Sequence, residues 1–568
     1  MQHKEEIAKQ LAKPTGLKKE EIETILEIPK SVELGDYAFP CFKLAGIMKK
    51  SPVEIAKNLA SNIKLKSPIS QIKAQGPYLN IFIDKKIFVE EVLNINKDYG
   101  RDNFGNKKKI VIDFSSPNIG KPMHIGHIRS TIIGDSLMRI YSYLGYEPFG
   151  INYMGDIGLH IGKLIVAWEL WLNKDELKKD PVKELLRLYV KFCEKEKSQV
   201  QEGTDEQEFE NNEWTNKAKE KLKLIEMGDE KAHKIWEEIR KASGKGFDRV
   251  YKMLNVEFNE VTGQSKFSEA GKEIVMNAAK KGIAKTDRET GAIYIEFDKL
   301  PKKFILRSNG TASYITQDIA AAVERNKKYK FEKMIYVTDY RQMMHFQQLF
   351  EIIKKFGYDF SDKCYHVPFG TVNFGNEIIA SRAGKIVLLE DVLKKTVEKA
   401  KEEIKKRETK GDEEKIGVGA VKYIIIKNEP QKDVEFSWDQ ALSFEGNTGP
   451  YLQYSYARAS SIINKAKKIA RKIKIPKNLN EKEKELIKKI LDFPKIVKEA
   501  AEKLNPSLIA NYSFELSQAF NGFYTSCKVI NPEEGKETEV FRLKLVDAFR
   551  TVLKNSLYLL GIEVMEEM

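Results

Sequence analysis

The sequence predicts an α/β protein: a parallel nucleotide-binding sheet split by a helical insertion, with a small α+β domain before it and an all-α domain after it. Three observations predict this. The β-branched run Ile110-Val111-Ile112 gives way to a loop and then to a helical pattern, with Ile128, Ile132, Ile133, Leu137, Ile140 and Leu144 on one face and Gly145 as its cap. Further apolar strand-like runs, 334–337 and 364–372, return after a long charged, helical stretch. From residue 433 onward the chain reads as helical to its end.

Composition narrows the function. At 568 residues there is room for about three or four domains. With 42% apolar residues the chain can bury real cores, which excludes a disordered protein. The net charge of +14 suits a polyanionic partner, nucleic acid being the commonest; a Lys-rich solvated surface is the plainer alternative. Cys41, Cys193, Cys364 and Cys527 are scattered, with no metal-binding pair and no disulfide framework, so a reducing cytoplasm is expected. The opening MQHKEEIAKQLAK lacks an apolar targeting core, and no run is long enough to cross a membrane.

Taken in order, residues 1–105 read as a separate domain of short amphipathic helices and one strand near 76–84. Tyr78 and Asn80 share a face of that strand. Such a pair can stack on and read an unpaired base, although pattern alone favours an ordinary strand with a half-buried tyrosine. Residues 106–395 hold the sheet. The loop Ser115-Ser116-Pro117-Asn118 follows the first strand, and His124, Gly126 and His127 open the helix, the layout that seats a phosphate at a helix N-terminus. Each imidazole offers a hydrogen-bond donor to phosphate, and Gly126 lets a nucleotide lie against the backbone. The insertion, about 166–300, reads as charged helices with no visible chemistry. In the second half of the sheet Tyr314 and Asp318 are four apart and share a helix face. A charged helical link (396–432) leads to 433–568, where Tyr451, Tyr454 and Arg458 fall at i, i+3 and i+7. By periodicity alone such tyrosines are more often core. The Lys-rich run 465–477 adds a basic edge.

His124-Ile125-Gly126-His127 is the HIGH signature of class I aminoacyl-tRNA synthetases and related nucleotidyltransferases, on a Rossmann-type domain. The longer string with SSPN in front resembles the arginyl-tRNA synthetase version. NYMGDIGLHIG (152–162) is similar to that family's NxxGDWGxQxG, with Ile157 and His160 replacing Trp and Gln; His160 is either a substituted donor or a structural histidine. LRSNGTASYITQDIA, GPYLQYSYAR and the terminal GIEVMEEM also resemble family blocks. The second signature, KMSK, does not: Ile378-Ile379-Ala380-Ser381 stand there, followed by a matching Arg382 and Gly384.

The resemblance implies an ATP-dependent arginine–tRNA ligase that forms arginyl-adenylate and passes arginine to the 3′ end of tRNA(Arg). ATP would come with Mg²⁺, and no protein-bound structural metal is expected. His124, Gly126, His127, Lys121, Ser381 and Arg382 would hold ATP, with His124, His127, Lys121 and Arg382 acting in catalysis. Lys121 would replace the missing KMSK lysines, with Arg382 or Lys385 as the alternative source of charge. Arginine would lie against Asp113, Ser115, Asn118, Tyr314, Asp318 and Gln342, the two acids converging on its guanidinium fork. Gln75, Tyr78 and Asn80 in the N-terminal domain, and Tyr451, Tyr454 and Arg458 in the C-terminal one, would touch tRNA. The expected protein is a cytoplasmic monomer with no membrane partner. Two competing readings remain at this point: a different HIGH-bearing nucleotidyltransferase, which predicts a single short domain, and an inactive RNA-binding paralogue, favoured only by the altered second signature.

Overall fold

In the computed structural model, residues 2–27, 29, 34–198, 212–374, 387–466 and 474–568 are described below. Five parallel strands make the central sheet, in the order Cys364–Phe369, Lys333–Asp339, Lys109–Asp113, Glu147–Met154 and Glu260–Gly263. The first strand in sequence is therefore the middle one. Its Ile110, Val111 and Ile112 are fully buried, as a strand covered on both faces requires. The chain builds outward on one side (147–154, then 260–263) and returns to the other (333–339, then 364–369). That reversal falls between Lys109–Asp113 and Lys333–Asp339, which pair as Lys333–Ile110 through Tyr336–Asp113. A crevice opens at the carboxyl ends of strands at such a point.

The helix Gly126–Tyr143 follows the first strand, and it is buried along most of its length. Three of its polar side chains donate to main-chain carbonyls 300 or more positions later. Arg129, fully buried, reaches Lys432 (2.6 Å), Pro430 (2.7 Å) and Glu429 (3.3 Å). Ser136 donates to Leu559 (2.7 Å) and Tyr141 to Ala501 (2.9 Å).

The insertion departs from the expected run of helices over 166–300. Helices Pro181–Lys197, Glu213–Glu226 and Glu230–Met253 are present, but Glu260–Gly263 is the outer strand of the central sheet. An antiparallel sheet of Lys285–Thr286, Ile293–Ile295 and Lys303–Leu306 follows. Four residues at a sheet edge, with Val261 54% exposed, carry no alternation for a sequence reading to find.

The chain divides into two compact units. One joins Met1–Asn96 to Ala466–Leu491 and Phe523–Ala548; the other comprises Lys97–Lys465, Asp492–Gly522 and Phe549–Met568. In the first, Tyr37–Pro40, Tyr78–Ile83 and Ile69–Gln75 form an antiparallel sheet under helices Gln2–Thr15 and Pro52–Asn62. Leu79, Ile81 and Ile83 face its core with Phe39 and Leu11. The C-terminal part is helical throughout, in Gly449–Lys465, Glu481–Glu502, Ser507–Ser526 and Lys536–Leu559.

Candidate active site

The crevice is built from the ends of the two central strands. After Asp113 the chain turns through Ser115 and Ser116, both with positive φ (70° and 49°), a conformation that costs non-glycine residues about 1 kcal/mol or more. The turn is held by its own hydrogen bonds. Ser115 N–H donates to Ser130 Oγ (2.8 Å), and Ser116 Oγ donates to Asp113 Oδ1 (2.8 Å). The Ser115 hydroxyl is already shared between Tyr251 (2.8 Å) and Thr131 (2.9 Å). A role for it at the substrate head group is therefore replaced by a structural one.

The HIGH residues sit at the mouth of the next helix. Gly126 N–H donates to His124 Nδ1 (3.1 Å), and His124 N–H donates to His127 Nδ1 (3.1 Å). A neutral imidazole that accepts at Nδ1 carries its proton on Nε2. Burial, with the nearby Lys121 and Arg341 charges, pushes His124 down to about 4. Burial and His124 push His127 down to about 3. Both rings are thus neutral at neutral pH, with centroids 4.0 Å apart; His124 carries its proton on Nε2, while His127 Nδ1 lies against both the N–H (3.1 Å) and the carbonyl (3.3 Å) of His124. Residues just after the altered second signature are tied to this block: His124 bridges Leu388, Ile125 N–H donates to Val387 O (3.3 Å) and Leu389 N–H to Met123 O (2.9 Å). Before the signature, Val372–Asn373 pairs with Val434–Glu435. Ser381, Arg382 and Lys385, with the altered signature itself, lie outside the described residues.

Asp113 corrects the sequence reading. Its Oδ2 accepts from Arg325 Nη1 at 2.7 Å, and both side chains are about 5% exposed or less. Burial opposes the charged guanidinium, yet Asp113 outweighs it and holds Arg325 above its ordinary value. An acid already neutralised by a buried arginine of its own chain is not an open acceptor for a substrate guanidinium. Tyr153 and Tyr336 cover this pair, with the Arg325 guanidinium 4.7 Å and 5.9 Å from their ring centres.

Asp318 is different. It lies one turn after Tyr314 on the helix Tyr314–Tyr329, and its Oδ2 meets His345 Nε2 at 2.7 Å. Tyr314 is half exposed, its hydroxyl over Gly158, where an added Cβ would lie 3.1 Å from it. Gly158 has φ +140°, so a side chain is unwelcome there on both counts. Asn118 is exposed and bridges Gly155; a Cβ on Gly155 would collide with its Oδ1 at 1.9 Å. His160 packs at the same turn. Burial and Lys121 push it down to about 4, and its Nε2 has no hydrogen-bond partner among the described residues. Gln342 stands exposed on the turn Tyr340–Gln342 at the end of Lys333–Asp339. There Arg341 pairs with Asp339 (2.7 Å), and its charge reaches His124. The sequence reading did not single out Arg325 or Arg341 and gave His345 no role. Arg325 stands seven residues after Asp318 on the same helix, a spacing that could have flagged it.

Lys121 lies half-buried with Nζ 4.7 Å from the centre of the Tyr189 ring. Burial, and then neighbouring Lys163, lower it from its ordinary value.

Elsewhere, Tyr451, Tyr454 and Arg458 are half-exposed along one face of Gly449–Lys465, while Leu452, Tyr456 and Ala459 are buried. Arg458 donates to Tyr454 Oη (2.9 Å) and Asn521 Oδ1 (3.2 Å), and Asn521 donates to Tyr451 Oη (2.7 Å). They line a cleft with Arg407, Phe444 and Met568. In the N-terminal sheet Gln75 is exposed, Tyr78 meets Phe42 edge-on (5.7 Å), and Asn80 is 4% exposed. The Asn80 amide donates to Gln75 Oε1 (3.3 Å), so Asn80 supports Gln75 rather than presenting an open edge of its own.

Comparison with known proteins agrees with this architecture. Residues 88–438 match the family described as tRNA synthetases class I (R), catalytic domain. Residues 452–568 match the DALR anticodon binding domain, and 1–83 match the arginyl tRNA synthetase N terminal domain. The chain is 42% identical to an arginine--tRNA ligase of Halothermothrix orenii over 97% of its own length and 96% of that relative. It is 38% identical to one of Clostridium beijerinckii over the whole of both. Among solved structures, Thermus thermophilus arginyl-tRNA synthetase superposes with a TM-score of 0.79 at 25% identity, covering 99% of each chain. The Plasmodium falciparum arginyl-tRNA synthetase gives 0.74, also at 25% identity and 99% of each chain. With a match this complete, over all three of its parts, the chain belongs to the class I arginyl-tRNA synthetases, the arginine–tRNA ligases.

Proposed function

We propose that this arginine–tRNA ligase forms arginyl-adenylate in the crevice between Lys109–Asp113 and Lys333–Asp339 and then charges tRNA(Arg) there. ATP enters with Mg²⁺ on its phosphates, which lie against the helix mouth at Gly126. The arginine carboxylate attacks the α-phosphorus, pyrophosphate leaves, and a terminal ribose hydroxyl of the tRNA then takes the arginyl group from AMP. The protein supplies no nucleophile. It orients the groups and stabilises charge growing on the phosphate. His124 donates its Nε2–H to that phosphate, and His127 offers a ring N–H beside it. Lys121 brings the positive charge that the altered second signature lacks, with Ser381 and Arg382 completing the ATP site. Asp318, oriented by His345, takes the substrate guanidinium with Tyr314 and Gln342 at its sides, and Asn118 takes the head group. A lysine substrate would leave part of that fork unpaired, which favours arginine without an editing site.

The tRNA is held at two further places in this reading. Gln75 and Tyr78 of the N-terminal domain contact it, and the Tyr451–Tyr454–Arg458 cleft receives anticodon bases. No described helix is long and apolar enough to cross a membrane. We place the enzyme in the cytoplasm, acting as a monomer.

The state of the HIGH imidazoles carries this proposal: two neutral rings at the helix mouth, with His124 held as an Nε2–H donor by the Gly126 N–H. ATP–pyrophosphate exchange, with and without tRNA, tests it. Arginine should drive exchange well above lysine, and Lys121→Ala should lower kcat by about 10²–10³ with little change in KM for arginine. Exchange driven equally by lysine would overturn the substrate assignment.

A further inference from the structure

Among the described residues, Lys121 has no carboxylate partner. Two acids of its neighbourhood, Glu390 along the same cavity and Glu196 beside Cys193, are already committed. Glu196, 3% exposed, takes Lys163 at 2.6 Å on one oxygen and the Thr215 hydroxyl at 2.6 Å on the other. Glu390 takes Arg249 (3.2 Å) and Lys394 (2.8 Å). What Lys121 does meet is the ring of Tyr189, on the insertion helix Pro181–Lys197, with Nζ 4.7 Å from its centre. From this place the ammonium is felt at His124, His127 and His160.

We propose that Tyr189 is a positioning residue for Lys121, its ring face holding the ammonium beside the HIGH block so that the helical insertion takes part in adenylate formation. This rests on the reading of Lys121 as a phosphate-side cation. The choice of an aromatic face has a physical logic. A carboxylate partner would neutralise the lysine and have to be broken each time the phosphates arrive. Open solvent would leave four methylene torsions to be ordered at each turnover. A ring attracts the cation weakly, orders it, and keeps its charge for the substrate.

Exchange kinetics on the full-length protein test this with Tyr189→Leu, Tyr189→Phe, Lys121→Ala and the double variant Lys121→Ala/Tyr189→Leu. Tyr189→Leu should lower kcat about 2- to 30-fold without moving KM for arginine, and Tyr189→Phe should restore it. In the Lys121→Ala background the leucine substitution should add nothing, because both act on one interaction. Independent, additive losses would overturn the proposal. Wild-type kcat in Lys121→Ala would instead overturn the underlying role of Lys121, and the proposal with it. Should the leucine variant not fold, fluorinated phenylalanines at position 189 keep the ring's shape while draining its π face. A stepwise fall in kcat with fluorination supports the proposal, and a flat series refutes it.

Discussion

Asp113 and Asp318 are the same residue type, lie near the same crevice, and come from the two halves of one sheet. Their fates differ. Asp113 ends a strand and is closed from above by Arg325, a residue 212 positions later, with Ser116 on its second oxygen. Asp318 lies on a helix with His345 as its hydrogen-bond partner, its side chain 15% exposed. The lesson is that an acid at a strand's carboxyl end is not by that fact a substrate ligand. Whether it is open depends on a partner only tertiary structure supplies.

The largest effect that would break this contrast is on stability. Asp113→Ala leaves the buried Arg325 uncompensated and should cost about 3–5 kcal/mol of folding free energy, read as a lower denaturant midpoint. A variant of wild-type stability with a greatly raised KM for arginine would instead return Asp113 to the substrate. Asp318→Ala should do the reverse. Loss of a charged partner for a buried guanidinium costs about 2–5 kcal/mol of binding, so KM for arginine should rise from tens- to thousands-fold while the melting curve stays close to wild type. His345→Ala sharpens the same side: with Asp318 less firmly aimed, KM should rise roughly ten-fold, and a loss as large as that of Asp318→Ala would mean that His345 itself binds arginine.

The smallest effect is gradual and depends on pH. Burial first of all pushes His124, His160 and His366 down to about 4 and His127 down to about 3, from an ordinary value of 6.5. The unfolded chain therefore binds more protons between these limits. Stability from the neutral imidazoles is complete above about pH 6.5 and is lost as the pH falls toward 4. Thermal melts across that window should show the decline, and kcat for exchange should show no inflection near 6.5 from the HIGH pair. An inflection there would mean that one HIGH ring works as a cation.

How much of this could be read in advance varies with how local its cause is. The strand, loop and helix around the HIGH block were legible because their signals sit within about thirty consecutive residues. The outer strand Glu260–Gly263 was not, since a short edge strand is defined by its neighbour Glu147–Met154 rather than by its own pattern. The closure of Asp113 was hidden for the same reason, as was the burial of Asn80 against Gln75. Tyr189 lies in a stretch that reads only as charged helix. Only folding placed its ring under Lys121.

The donors of the HIGH helix carry a consequence for synthesis. Arg129, Ser136 and Tyr141 give their hydrogens to carbonyls made 300 to 303, 423 and 360 residues later. On a ribosome adding about 5–20 residues per second, the helix would wait roughly 15 to 85 s for them. Until residues 429–432 emerge, a fully buried guanidinium has no acceptor, and the last hydroxyl is satisfied only by Leu559. The HIGH helix, though translated early, is thus completed by residues made much later. Products truncated before Leu559 should then be unable to complete the surroundings of this helix.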